Sequence, residues 1–160
     1  MEFFGFFIGE ETIEAFKHLL VAAVLGMFLG LERVFAHKMA GMRTYGLVSL
    51  GSALFIVIST TITALYVTTT PFAPLRVAAS VVTGIGFISA GVIIFRNSHV
   101  EGLTTAAGLW VAAGIGIASG FGLYHIAIFA TFITLFIFTV VWAFENKIRK
   151  ITNDLDDKDS

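Results

Sequence analysis

The chain has 160 residues, 57% of them hydrophobic and only 13% charged, with a net charge of -1 and a mean hydropathy of +0.91. That is too little charge to cover a soluble domain of this size, and a balance so near neutrality gives no reason to expect nucleic acid as a partner. Cysteine is absent, which excludes disulfides, thiolate metal sites and thiol catalysis.

Residues 1–14 are aromatic and acidic, with Phe3, Phe4, Phe6 and Phe7 among Glu2, Glu10, Glu11 and Glu14. A cleavable signal peptide begins with basic residues, so this segment reads as an interfacial stretch that stays in the protein. Crossing the roughly 30 Å of hydrocarbon takes about 20 apolar residues in a helix. Five runs qualify, at 13–31, 44–67, 76–95, 104–120 and 124–144. Pro71 and Pro74 punctuate the connection between the second and third. The fourth and fifth form one apolar tract whose only break is Gly120-Phe121-Gly122, because glycine reaches the φ > 0 of a tight reversal. The predicted fold is therefore all-α, a polytopic bundle of about five transmembrane helices over 15–145, followed by a charged tail at 146–160. A re-entrant fourth run would make it four spans.

Basic residues set the predicted orientation. Arg33, Lys38, Arg43, Arg96, Lys147, Arg149, Lys150 and Lys158 fall on one side of a five-span chain, while Lys17 and Arg76 fall on the other. The richer side is expected to be cytoplasmic, with the N-terminus outside and the tail inside.

In lipid, small residues that let backbones approach are the packing signal. Gly108, Ala112, Gly116 and Gly120 recur every four residues in the fourth span. Gly26 and Gly30 do so in the first, where Arg33 continues the stripe, and the third holds Gly84, Gly86, Ala90 and Gly91. These positions predict close helix packing, with an oligomer interface or a backbone-lined pathway as the other uses. A homodimer is the expected assembly, two-fold pairing being the commonest closed form.

Four strings then stand in order: Glu32-Arg33; Ala40-Gly41-Met42-Arg43-Thr44; Arg76 followed by Gly84-Ile85-Gly86-Phe87-Ile88-Ser89-Ala90-Gly91; and Gly102-Leu103-Thr104-Thr105-Ala106-Ala107-Gly108-Leu109-Trp110. Together they resemble the membrane domain of the MgtC/SapB family of bacterial inner-membrane proteins, over about 21–145. The resemblance implies a cytoplasmic-membrane protein connected with growth at low magnesium, acid stress or virulence. It does not bring an ATPase activity, although family names mention one, because the chain has no P-loop, phosphorylatable Asp motif or nucleotide domain. Virulence-type members carry Asn where this chain has Thr104 and append a soluble C-terminal domain. The chain therefore looks closer to the short SapB-like branch, and action on the ATP synthase is not carried over.

Ionisable residues at or in a membrane are functional hypotheses by default. The topology gathers Glu32, Arg33, Arg43, Thr44, Arg96, His99 and Glu101 around the helix start at Thr104 and Thr105, and puts Arg76 about one bilayer away. Glu32 is expected to pair with Arg43 or Arg96. Its alternative use is to hold hydrated magnesium together with Glu101, against the opposing charge of the arginines. Thr104 or Thr105 is expected to cap the fourth helix. That helix start, with Arg43 and Arg96, would bind an anionic lipid headgroup or another phosphate. His18, His37, His99 and His125 show no metal-ligand spacing. No nucleophile, base and orienter come together, and membrane hydroxyls commonly serve the backbone.

The expectation is a non-enzymatic protein with no cofactor, magnesium being left open as a ligand. It would act through a bound ligand or another membrane protein. A channel or carrier is the alternative, without the inverted repeat common in transporters, and a lipid-binding structural protein is the third reading.

Overall fold

The computed structural model describes residues 9–66, 74–96, 99–145, 147–148 and 151. The N-terminal phenylalanines, the loop around Pro71 and the acidic end of the tail lie outside the described residues. Among those described, five helices are long and apolar enough to cross a membrane. They are α1 (Glu10–Phe35), α2 (Met42–Tyr66), α3 (Pro74–Gly91), α4 (Leu103–Gly120) and α5 (Tyr124–Glu145). At 18 residues, α4 is about 27 Å long, and by length and composition it is able to cross a membrane. The first helix starts at Glu10, earlier than hydropathy suggested, because its first turn is acidic and suits the positive end of the helix dipole.

The third span departs from expectation. It ends at Gly91 instead of running to Phe95, and the apolar residues beyond it enter an antiparallel hairpin of β1 (Ile94–Arg96) and β2 (His99–Glu101). Ile94 faces Glu101, Phe95 faces Val100 and Arg96 faces His99. Val92 and Ile93 donate to the carbonyls of Ser89 and Ala90, three-residue spacings that tighten and close the helix. The β-branched and aromatic residues that follow favour the pleated strand.

Two helix ends are built alike. After α4, Gly122 lies at φ 73°, its N–H donating to Ser119 and that of Leu123 to Ala118. This is a Schellman motif, and it reverses the chain where sequence placed the break. After α1 the same pair of bonds runs from His37 to Val34 and from Lys38 to Arg33, but the left-handed residue is His37, at φ 52°.

The centre of the bundle is α4, with 56% of its span buried against 11% for α3. Close backbone approach explains why. A methyl added at Gly26 would sit 2.6 Å from the Tyr45 carbonyl oxygen, and one at Gly30 2.5 Å from Met42 Cα, so α1 lies directly on the start of α2. A methyl at Gly116 would overlap the Ser49 carbonyl, and one at Gly120 would come 2.9 Å from that of Ala53, so α2 lies directly on α4. Ala112 is fully buried between these contacts. Contacts advance together along α2 and α4, so these helices run in parallel, whereas α1 and α2 run in opposite senses.

The stripe on α3 behaves differently. A methyl at Gly84, Gly86 or Gly91 would meet nothing within 4 Å, so these glycines do not pack helices together within the chain. The prediction of close packing there is corrected: α3 touches the bundle mainly through other positions, including buried Ile85 and Ser89. Several helix hydroxyls serve their own backbone as expected, as when Ser119 donates to Ile115 and Thr131 to Ala127, both at 2.8 Å, whereas the buried hydroxyls of Ser49, Ser59 and Ser89 have no hydrogen-bond partner among the described residues.

Candidate functional site

At the hairpin end, α1 finishes with a buried ion pair. Arg33 Nε donates to Glu32 Oε2, with the Arg33 side chain 4% exposed and that of Glu32 14%. The guanidinium carbon lies 3.6 Å from the centre of the Phe138 ring. Phe138 belongs to a π-helical turn of α5, Ile137–Val141, and is the buried residue of that turn. A guanidinium stacked on a ring and shielded from solvent gains about 2 kcal/mol from the ring quadrupole. Glu32 therefore pairs with its neighbour rather than with Arg43; the other expected partner, Arg96, has its side chain outside the described residues. The geometric reason is that Arg33 continues the Gly26–Gly30 face inward, while Arg43 is exposed.

Beside this pair Tyr45 is fully buried, with its hydroxyl 3.4 Å from the Thr105 carbonyl that it faces. Gly108, one turn on, is where Tyr45 and Phe138 both press against α4, and a methyl there would reach the Tyr45 hydroxyl and come 2.7 Å from Phe138 Cζ. Arg33, Phe138, Tyr45 and Gly108 thus form one packed floor.

A polar cavity of about 480 Å³ adjoins it, lined by His37, Lys38 and Met39 after α1, Val100 and Glu101 of β2, Gly102 to Thr105 at the start of α4, and Trp142 and Glu145 of α5. Thr105, 2% exposed, belongs to both the floor and the cavity wall. Local structure aims these residues. The Schellman turn carries His37 and Lys38 back toward the cavity. Gly102, at φ 89°, caps α4, and a methyl on it would strike the Val92 carbonyl. That contact ties the hairpin against the end of α3.

Of the residues singled out from sequence, Glu101, Thr104 and Thr105 line this cavity. Glu32 and Arg33 belong to the floor. Arg43 and Thr44 are not among the lining residues, and Thr44 faces a separate groove between α2 and α3. The Arg96 backbone is in β1, while its side chain lies outside the described residues. Arg76 is exposed in the first turn of α3, at the end away from the hairpin. The predicted threonine cap is corrected: Gly102 occupies the N-cap position and no side chain caps it, because the hairpin needs the left-handed backbone there. The second carboxylate of the cavity is Glu145, not Glu32. Among the described residues no group of three or more acidic or histidine side chains gathers to hold a metal, so a dehydrated magnesium cage is absent from this set. Two carboxylates suit a hydrated ion, which keeps its own waters.

The sequence marks Lys38 only as one of the orienting basic residues and His37 as a histidine without metal-ligand spacing, and it does not single out Trp142 or Glu145. Trp142 at a helix end carried the one available signal, the preference of Trp for membrane interfaces.

The MgtC family model matches residues 19–147. "Protein MgtC" of Salmonella typhimurium is 47% identical over 101 residues, covering 61% of this chain and 41% of that protein. "Putative magnesium transporter YhiD" of Escherichia coli K12 is 43% identical over 131 residues, covering 81% of this chain and 61% of that protein. An uncharacterized protein of Synechocystis is 43% identical over 97 residues, or 61% of this chain and 39% of that protein. The chain thus spans about two-fifths to three-fifths of the length of these relatives. No solved structure matches it.

Proposed function

The chain belongs to the MgtC family, and from that premise we propose that it serves magnesium or stress homeostasis in a bacterial inner membrane, as a non-enzymatic protein that binds a ligand or partner at the hairpin-side cavity. The magnesium connection is taken from the name of the YhiD relative. The N-out, C-in orientation follows from the basic residues near the hairpin side and makes this face cytoplasmic.

The observation that carries the reading is a polar cavity at one end of a bundle whose centre is filled. Glu101, Glu145, Lys38 and His37 offer both charge signs and a proton-accepting ring around one opening, which suits recognition of a polar solute or a partner's charged segment. The crossing of α1, α2 and α4, by contrast, is occupied by backbone at Gly26, Gly116 and Gly120. That favours a binding protein over a channel through the same glycine stripes.

The test pairs flux with growth. Purified protein in liposomes loaded with a magnesium-sensitive dye is expected to admit no more Mg²⁺ than protein-free liposomes, and saturable entry would overturn the reading. In a strain lacking the chain, the parent is expected to restore growth at limiting magnesium, whereas the folded Glu101→Gln, Glu145→Gln double variant is not. Full rescue by that variant would remove the cavity from the function.

A further inference from the structure

Between α2 and α3 runs an apolar groove of about 670 Å³, lined chiefly by Thr44, Leu47, Gly51, Phe55, Val81 and Gly84. We propose that it holds one acyl chain of a glycerophospholipid from the hairpin-side leaflet, with the lipid phosphate at Arg43.

Length, width and charge support this occupant. Along α2 the groove extends from Thr44 to Phe55, about 16 Å at the helical rise, beginning two residues inside the helix. On the α3 wall it extends over an equal length, from Val77 to Ile88, which one extended acyl chain covers. A partner transmembrane helix is about 10–12 Å across with its side chains, so a 16 Å length of it fills roughly twice the groove volume, whereas a single hydrocarbon chain fits. The polar end is placed by helical spacing. Arg43, Leu47, Gly51 and Phe55 follow one another at four-residue intervals and therefore form one row. The exposed Arg43 continues that row by one step toward the start of α2, next to the lining residue Thr44, where its guanidinium fork would match the oxygens of a lipid phosphate. The groove is made by absent side chains: a methyl at Gly51 or Gly84 would meet no protein atom within 4 Å.

Those two glycines suit the test, because a Cβ added at either position starts in open groove space with no protein atom within 4 Å. The parent and the Gly84→Leu, Gly51→Leu, Gly86→Leu and Arg43→Gln variants are purified in mild detergent, checked for helical content and exposed to mixed phosphatidylglycerol and phosphatidylethanolamine. Retained lipid is then counted by native mass spectrometry. The parent is expected to keep one phospholipid under activation that strips the rest. Gly84→Leu and Gly51→Leu, on opposite walls, should each lower that occupancy at least tenfold. Gly86→Leu, on an open part of α3 outside the groove, should match the parent. Arg43→Gln should lose the retained lipid at a lower activation energy. A parent that retains no lipid, groove-filling variants with parental occupancy, or a dimer mass that disappears with Gly84→Leu would each overturn the proposal, the last by giving the groove to a second copy.

Discussion

Removing one member of the Glu32–Arg33 pair is expected to destabilise the bundle more than removing both. Arg33 is 4% exposed and stacked on Phe138, while Glu32 keeps 14% exposure. Breaking a buried pair by deleting one partner costs about 3–5 kcal/mol, because the survivor is left charged and unpaired. Glu32→Gln strands the more deeply buried guanidinium and should lie near the top of that range, at about 4–5 kcal/mol. Arg33→Met strands a carboxylate that still reaches solvent and should cost about 3 kcal/mol. Arg33→Lys keeps the charge but weakens the stacking and the fork, for a loss of about 1–2 kcal/mol. In the Glu32→Gln, Arg33→Met double variant no charge is buried, and methionine still packs against the ring. Its cost should fall to about 1 kcal/mol, far below the sum of the single changes. Denaturation in mixed SDS and mild detergent, followed by tryptophan fluorescence, supplies the four free energies of the cycle. A double variant whose loss equals the sum of the singles would refute the reasoning, as would an Arg33→Met protein as stable as the parent.

Gly116→Ala should destabilise by about 1–3 kcal/mol through overpacking, since its methyl would overlap the Ser49 carbonyl. Gly114→Ala, two residues away with nothing within 4 Å, should be neutral or slightly stabilising through helix propensity, and thermal denaturation in detergent compares the pair. Gly102→Ala should both lower the melting temperature and loosen the hairpin, because the position combines φ 89° with contact on the Val92 carbonyl; faster amide exchange in β1 and β2 is the readout, and parental protection there would contradict it. A cytoplasm-dependent reporter fused after Ser160 should be active, and one at the N-terminus should need export. Both reporters active in one compartment would rule out an odd number of crossings.

Legibility in the sequence followed the range of the forces involved. The five spans were readable because hydrocarbon demands about 20 apolar residues per crossing, a condition each segment meets or fails alone. The break at Gly122 was readable for a similarly local reason, the left-handed backbone that glycine permits. Only the tertiary structure separated the glycine stripes. Gly26, Gly116 and Gly120 lie against neighbouring backbones, while Gly84 and Gly86 face open space, yet all are glycines within apolar helices. A stripe states that close approach is possible; which helix arrives depends on the order in which five helices pack. The candidate site divided in the same way. Glu101, Thr104 and Thr105 were recognisable because they cluster in sequence at a helix start. Lys38, Trp142 and Glu145, distant from them in sequence on either side, joined them only when α5 packed beside α4 and the turn after α1. The ion pair followed the same rule. Sequence placed Glu32 among several arginines, and burial favoured Arg33 over the exposed Arg43, since the Arg33 guanidinium faces the bundle interior and meets both a carboxylate and the face of Phe138.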